Sequence, residues 1–284
     1  MGLSVGGKRT VAPVGVSGTG EGCGHMDRIA LISDIHGNVP ALQAVLRDIE
    51  RRSIERIFCL GDLVGKGPHS ETVVDICRAV CERTIKGNWD DALASTETDN
   101  PTLQWHQRRL GNTRLAFLRD LPNTIEFVMS GKHIRLFHAS QKSVHYRVRQ
   151  HDPVENLLAM FDNTDFTGRM FTPDVVGYGD IHEAYLRSFL GRTMFNVGSV
   201  GNPHDTPQAG YGILEGTDGG EAEDCLSIHL IRVPYDIELA IQQARDENMP
   251  SLEPYSHELR TAQYRGPAEY AKERDALKNA HGVA

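Results

Sequence analysis

Ile29-Ala30-Leu31-Ile32-Ser33-Asp34-Ile35-His36-Gly37-Asn38 opens the stretch, running on to Asp90, that decides the fold. The apolar run Ile29 to Ile32 leads to Asp34-Ile35-His36-Gly37-Asn38. A second run, Ile57-Phe58-Cys59-Leu60, ends in Gly61-Asp62, and a third, Thr84-Ile85-Lys86, ends in Gly87-Asn88. Short continuous apolar runs are what parallel strands buried on both faces look like, and such sheets gather functional groups at the strands' carboxyl ends. The three ends therefore bring Asp34, His36, Asp62 and Asn88 to one rim. Carboxylate, imidazole and amide oxygen together suit divalent ions such as Mn, Fe, Zn or Ni, and a shared Asp could bridge two of them.

Between the strands the apolar period changes. Ala41, Leu42, Val45, Leu46 and Ile49 recur at a spacing near 3.6 and predict an amphipathic helix over Pro40 to Arg52; Val73, Val74, Ile76 and Cys77 do the same over Ser70 to Val80. Alternating strand and helix with short connections predicts a right-handed α/β layer. Farther along, Ile134-Arg135-Leu136-Phe137 ends in His138, and Val175-Val176-Gly177-Tyr178 leads into Gly179-Asp180-Ile181-His182.

The order D-x-H, G-D, G-N, H, G-D-x-H resembles the calcineurin-like metallophosphoesterases, over roughly Arg28 to Tyr235. Gly61-Asp62-Leu63-Val64-Gly65-Lys66-Gly67-Pro68 and Asn196-Val197-Gly198-Ser199-Val200-Gly201-Asn202-Pro203 are most similar to a small bacterial branch of them. A lone D-x-H would carry little weight; the ordered set is far more specific. The resemblance implies a four-layer αββα sandwich of two mixed sheets. It also implies two divalent ions, Mn first, with Fe, Zn, Ni, Co or Mg as alternatives. Asp34, His36, Asp62 and His182 would hold one, and Asp62, Asn88, His138 and Asp180 the other. Such a pair supplies a water acidified toward hydroxide and a clamp on the attacking and leaving oxygens of a phosphoryl group.

Three departures shape the expected substrate. The usual G-N-H is Gly87-Asn88-Trp89, so the imidazole that would protonate a leaving group is absent; an indole can stack and hydrogen-bond but not act as an acid. The usual G-H-x-H carries Asp180 in place of its first His, which adds negative charge. An Arg common near the late loop is missing from Gly201-Asn202-Pro203-His204-Asp205, leaving His204 as the cation there. Loss of the acid favours phosphoanhydride leaving groups, as in nucleotides or dinucleoside polyphosphates. The G-N-W motif with Val233-Pro234-Tyr235-Asp236 is similar to relatives that split diadenosine tetraphosphate into ATP and AMP. Two other readings stay open: a phosphodiesterase or a small-metabolite or protein phosphatase of the same superfamily, and a degenerate metal- and nucleotide-binding sensor. Asp62 and Asn88 are the expected catalytic centre, with His69 and His204 for charge stabilisation or proton donation. Trp89, Ser199, His204 and Arg108 are expected substrate contacts, with Trp105 as an alternative stacking ring. The plain alternatives are core packing for each Trp and exposed loop positions for each His.

Composition narrows the partners. The chain has 284 residues and a net charge of -8, so it has no basic surface for long nucleic acid; a compact phosphorylated metabolite fits. Five scattered cysteines without C-x-x-C spacing indicate a reduced, cytoplasmic setting. Residues 1–26 are expected to be a disordered leader, with Met26 as an alternative start, and no run is long enough to span a membrane. The remainder, 27–284, is expected to form one domain. A helical insert at about 91–121, containing Trp105-His106-Gln107-Arg108-Arg109, is expected to cap the rim and carry substrate contacts. A second insert, Tyr146 to Phe161, holds Arg147, Arg149 and His151, which could meet phosphate or simply be surface. Hairpin-like β signals fill Ala184 to Val233, a helix follows over Pro234 to Glu247, and the helical tail to Ala284 is expected to wrap the body or frame a dimer contact.

Overall fold

Alternating side chains of the first strand, β1 (Asp27–Ile32), enter two different cores. Ile29 and Leu31 join a cluster with Phe58, Leu60, Ile134, Leu136, Phe195 and Val197, while Ala30 and Ile32 join another with Leu42, Val45, Val73 and Leu118. Successive strand residues point to opposite faces, so β1 lies in a sheet packed against a second sheet on one side and helices on the other. The computed structural model describes residues 26–264 apart from 96, 97 and 223.

Along the chain, β1, α1 (Val39–Arg51), β2 (Arg56–Cys59), α2 (Ser70–Val80) and β3 (Arg83–Thr84) form the expected alternation, with β1, β2 and β3 parallel. Asn38 caps α1 by accepting from the Ala41 amide at 3.2 Å, with Pro40 in the first turn. α3 (Asn88–Ser95) and α4 (Pro101–Asp120) make the insert. The second sheet begins with β4 (Thr124–Met129) and β5 (Lys132–Phe137), continues after α5 (Val154–Ala159) with β6 (Val175–Tyr178), and closes with β7 (Tyr185–Phe189) and β8 (Arg192–Asn196). Then β9 (Ala209–Gly216) and β10 (Ser227–Val233) return to the first sheet, and α6 (Ile237–Asp246) and α7 (Leu252–Thr261) follow.

The sheet orders are β10-β9-β1-β2-β3 and β4-β5-β6-β8-β7, both mixed. A third cluster, with Phe137, Val176, Tyr178 and Met194 from the second sheet and Val148, Leu157 and Phe161 from the segment around α5, covers the outer face. Helices, sheet, sheet and helix segment thus make the four-layer αββα sandwich. Burying one aliphatic core side chain contributes roughly 1.5–3 kcal/mol, and Arg135, fully buried among the strands, is satisfied by Glu126, Asn163 and the carbonyls of Asp162 and Phe171.

Three elements differ from expectation. The third strand is only two residues long, Arg83–Thr84. The helix expected from Pro234 starts at Ile237, because the Asp236 carboxylate accepts from the Leu239 amide at 2.9 Å and fixes the N-terminus there. The insert, expected as a cap on the rim, packs along the helix layer. Leu110 and Leu118 of α4 sink into the helix-side core, and Arg109 and Arg114 pair with Glu71 and Asp75 of α2, so α4 is fastened against α2. The expected leader, apart from Met26, and the tail beyond Tyr264 lie outside the described residues. Among the described residues no helix is long and apolar enough to cross a membrane.

Candidate metal centre

The loops after β1, β2, β5 and β6 meet at one edge of the sandwich, in unusual backbone. Asp34, His36, Asp62, Asp180 and His182 all have positive φ, between 50° and 64°. Each such L-residue costs roughly 1–2 kcal/mol, and this strain gathers where side chains must be aimed. Backbone hydrogen bonds hold the loops: the Asp34 amide donates to Gly61 O at 3.0 Å, the Ile35 and His36 amides to Asp62 O at 2.9 and 3.0 Å, and the Gly201 amide to Asp34 O at 3.0 Å. Gly179 is required by close approach, since a Cβ there would lie 2.1 Å from Ser33 Oγ and 2.6 Å from Asp34 Oδ2.

Two buried groups of potential ligands result, Asp34, His36 and His182, and Asp34, Asp62 and His138, each with its ligand atoms within 4.8 Å of one another. His182 Nε2 lies 3.2 Å from Asp34 Oδ1. The two oxygens of Asp62 divide between imidazoles, Oδ2 at 3.5 Å from His36 Nε2 and Oδ1 at 3.5 Å from His138 Nε2. Asn88 Oδ1 is 3.0 Å from His138 Nε2. The structure thus gathers every residue named for the metals except Asp180.

The histidine tautomers follow from their outer contacts. His36 Nδ1 is 2.9 Å from Val64 O, His138 Nδ1 is 2.8 Å from Leu60 O, and His182 Nδ1 contacts Asn202 O. A carbonyl only accepts, so each Nδ1 donates and each Nε2 faces inward. Burial, followed by the Lys66 charge, holds His36 and His182 well below the usual imidazole pKa, so both are neutral at pH 7. Their Nε2 atoms, 3.2 Å apart, are then two acceptors facing one another beside Asp34 Oδ1, which has no hydrogen-bond partner. Convergent buried acceptors are costly without a cation among them, and the donor set of carboxylate, imidazole and amide oxygen fits a divalent metal. His138 differs: burial lowers its pKa, but the Asp62 charge and hydrogen bond outweigh this and lift it well above the usual value.

Asp90, which sequence reasoning left without a role, ties the rim together. Its carboxylate accepts from the amides of Asp62, Leu63 and Gly87 at 2.8, 3.0 and 2.9 Å, locking the G-D loop to the G-N loop. Burial and the nearby Asp62 push its pKa up to about 7.

A cleft of about 350 Å³ opens onto the cluster. Trp89 forms one wall, its ring edge-on to His36 with centroids 5.9 Å apart. Gly65 makes room for it, as a Cβ there would sit 2.2 Å from Trp89 Cε3. His204 stacks on His182 at 4.4 Å and is kept neutral by burial and by His182. Lys66 reaches in with Nζ donating to Asn202 Oδ1 at 2.6 Å, and Tyr264, just past α7, covers one side. Asp180 also lines the cleft, but both its oxygens accept from Arg147, Oδ2 from Nε at 2.8 Å and Oδ1 from Nη2 at 2.7 Å.

Other candidates sit elsewhere. Ser199 is fully buried, donating to Asp34 O at 2.7 Å and accepting from the Asn202 amide, so it braces the Asp34 loop. His69 precedes α2, with Nδ1 3.8 Å from Glu71 Oε1, and does not line the cleft. Arg108 lines a separate groove with Leu93, Gly111 and Leu115. Trp105 packs on the α6–α7 cluster with Arg109 over its ring at 4.8 Å. Lys66 was legible as the variable position of Gly65-Lys66-Gly67-Pro68. Tyr264 had no local signal, because only the docking of α7 brings it to the cleft.

Residues 27–219 match the profile of the calcineurin-like phosphoesterase superfamily domain. An uncharacterized protein of Methanocaldococcus jannaschii is 32% identical over 237 residues, which are 78% of this chain and 93% of that protein. The crystal structure of a metallophosphoesterase from Sphaerobacter thermophilus superposes with a TM-score of 0.65 at 25% identity, covering 83% of this chain and 99% of that one. A hypothetical protein from Pyrococcus horikoshii shares the fold, with a TM-score of 0.67 at 19% identity over 84% of this chain and 98% of that one. Motif order, sandwich and buried ligand cluster thus agree with these likenesses, and the chain belongs to the calcineurin-like phosphoesterase superfamily as a metal-dependent phosphoesterase.

Proposed function

We propose that this phosphoesterase hydrolyses phosphoanhydride bonds of nucleotides or dinucleoside polyphosphates, with two divalent ions, Mn foremost. The observation that carries the reading is Trp89. It stands against His36, where the resembled enzymes carry an acidic imidazole, and it walls the cleft without offering a proton. His204, the remaining imidazole on the cleft wall beside His182, is neutral near pH 7 and so a poor acid. An alkoxide leaving group needs a proton, whereas a nucleotide or pyrophosphate leaving group needs little.

In this reading Asp34, His36, Asp62 and His182 hold one ion, and Asp62, Asn88 and His138 supply ligands for the second. The bound ions would acidify a water and clamp the phosphoryl oxygens. The protein's own groups do the rest. Lys66 and Arg147 attract the polyphosphate, Trp89 and Tyr264 offer π faces to a base, and Asp90 holds the Asp62 and Asn88 loops in register. The second insert therefore supplies the phosphate contact, and the first does not.

The test is a turnover screen of ATP, diadenosine tetraphosphate, cyclic nucleotides, phosphoamino acids, glycerol phosphate and bis(p-nitrophenyl) phosphate with Mn, Mg, Co and Ni. Anhydrides should be cleaved far faster than glycerol phosphate. Glycerol phosphate turning over faster than every anhydride would overturn the assignment.

A further inference from the structure

Asp180 is the one expected ligand that the geometry withholds from the cluster. It is 4% exposed, and its oxygens are 2.8 and 2.7 Å from Arg147 Nε and Nη2, a bidentate fork on one edge of the guanidinium. Neither potential ligand group among the described residues contains it. Its backbone is committed to the centre all the same: the Asp180 amide donates to Asp34 Oδ2 at 3.1 Å, and φ is 64°. A residue rooted at the rim in a conformation this restrictive is held for a purpose.

The Arg147 side chain is 43% exposed and lines the cleft that opens onto the ligand cluster. Asp180 occupies Nε and Nη2, and Nη1 makes no hydrogen bond among the described residues. A guanidinium fixed on one edge and open on another is preorganised to receive a phosphoryl oxygen, because little rotamer freedom remains to be lost on binding. Serving a metal and an arginine fork at once would place two cations on one carboxylate, and the fork already neutralises its charge.

We propose that Asp180 is a positioning residue for Arg147, not a metal ligand, and that Arg147 binds a phosphoryl oxygen of the substrate. The carboxylate at this strand end thus places a fixed organic cation at the cleft where the resembled enzymes carry one more imidazole. This rests on the phosphoesterase assignment and is independent of which phosphate compound is cleaved.

The experiment uses the Mn-loaded full chain and variants Arg147→Met, Arg147→Lys, Asp180→Asn and the double Asp180→Asn/Arg147→Met. Three quantities are read: bound metal by mass spectrometry, inorganic phosphate affinity by calorimetry, and KM and kcat with bis(p-nitrophenyl) phosphate. Removing a charged hydrogen-bond donor to phosphate should weaken phosphate binding and raise KM by roughly tenfold to a hundredfold in Arg147→Met, with metal content unchanged. Arg147→Lys should recover part of the loss. Asp180→Asn should shift both constants the same way by a smaller factor at unchanged metal content, and the double variant should match Arg147→Met, since Asp180 acts through Arg147. Loss of a metal equivalent in Asp180→Asn, effects that multiply in the double variant, or parental phosphate affinity in Arg147→Met would each overturn the proposal. If Arg147→Met does not fold, the same cycle is closed with Arg147→Lys. Failure to cleave nucleotide anhydrides would sink the proposed substrate and leave these readouts intact.

Discussion

The metal rim and the insert at 91–121 are both polar segments beside the first sheet, yet they have opposite fates. The rim buries its polar groups almost completely: Asp34, His36 and His138 are fully inaccessible and Asp62 is 1% exposed. Around them lie left-handed backbone, carbonyl-fixed imidazoles and the Asp90 clamp. The insert instead turns an apolar stripe inward through Leu110 and Leu118 and spends Arg109 and Arg114 on ion pairs with α2. Buried polar groups arranged at the cost of backbone strain mark a working site, whereas polar groups paired at the surface mark a helix being fastened down.

Substitution should separate the two regions, and the largest effect is expected at Asp62. Its oxygens stand between His36 and His138, so Asp62→Ala should lose both metals together and reduce turnover of bis(p-nitrophenyl) phosphate to background while the fold persists. Normal metal content with normal turnover would break the contrast at its strongest point. Asn88→Ala should act on one side of the centre, lowering affinity for the second ion by at least roughly tenfold and sparing the first, as read by metal titration.

The insert should respond through stability alone. His106 in α4 is 1% exposed, and burial, followed by the Arg109 charge, holds its pKa at about 4. The unfolded chain, with an ordinary imidazole pKa near 6.5, binds a proton that the folded state refuses. This contribution to stability is therefore complete above about pH 6.5 and is lost as the pH falls toward 4, by at most about 3 kcal/mol. His106→Leu should flatten that part of the melting-temperature profile and leave metal content unchanged. An unaltered acid slope would show that His106 is not its source.

The smallest effect belongs to Arg108. Exposed on a separate groove, it should tolerate Arg108→Ala with KM and kcat within about twofold of the parent, as expected of a surface substitution away from special features. A large rise in KM would return the insert to the substrate site.

This contrast also explains what the sequence made legible. Asp34, His36, Asp62, Asn88, His138 and His182 were readable because each lies within four residues of a strand end, next to a short apolar run in the sequence, so a local pattern fixes its place at the rim. The first α/β layer was readable through the change of apolar period from strand to helix, whereas the double sheet was implied by the resemblance that the motif order carries. Arg108 lies on a separate groove, which its basic, helical segment could not foretell: composition does not say which way a helix face turns, and that is decided by Leu110 and Leu118 meeting the core. Arg147 and Asp180 are separated by 33 positions and Tyr264 reaches the cleft only through α7, so their partnerships depend on tertiary docking. Ser199 was recognised as part of a motif, but its brace on the Asp34 carbonyl required coordinates.

The central claim is that the buried cluster is a metal centre on which hydrolysis depends. The direct measurement is to strip the full chain with a chelator, titrate Mn back, and record bound metal and bis(p-nitrophenyl) phosphate turnover on the same samples. Turnover should fall to background on stripping and return in proportion to metal bound, with the parent taking up two equivalents and Asp62→Ala taking up none. Undiminished turnover by metal-free protein, or equal uptake by Asp62→Ala and the parent, would contradict the account.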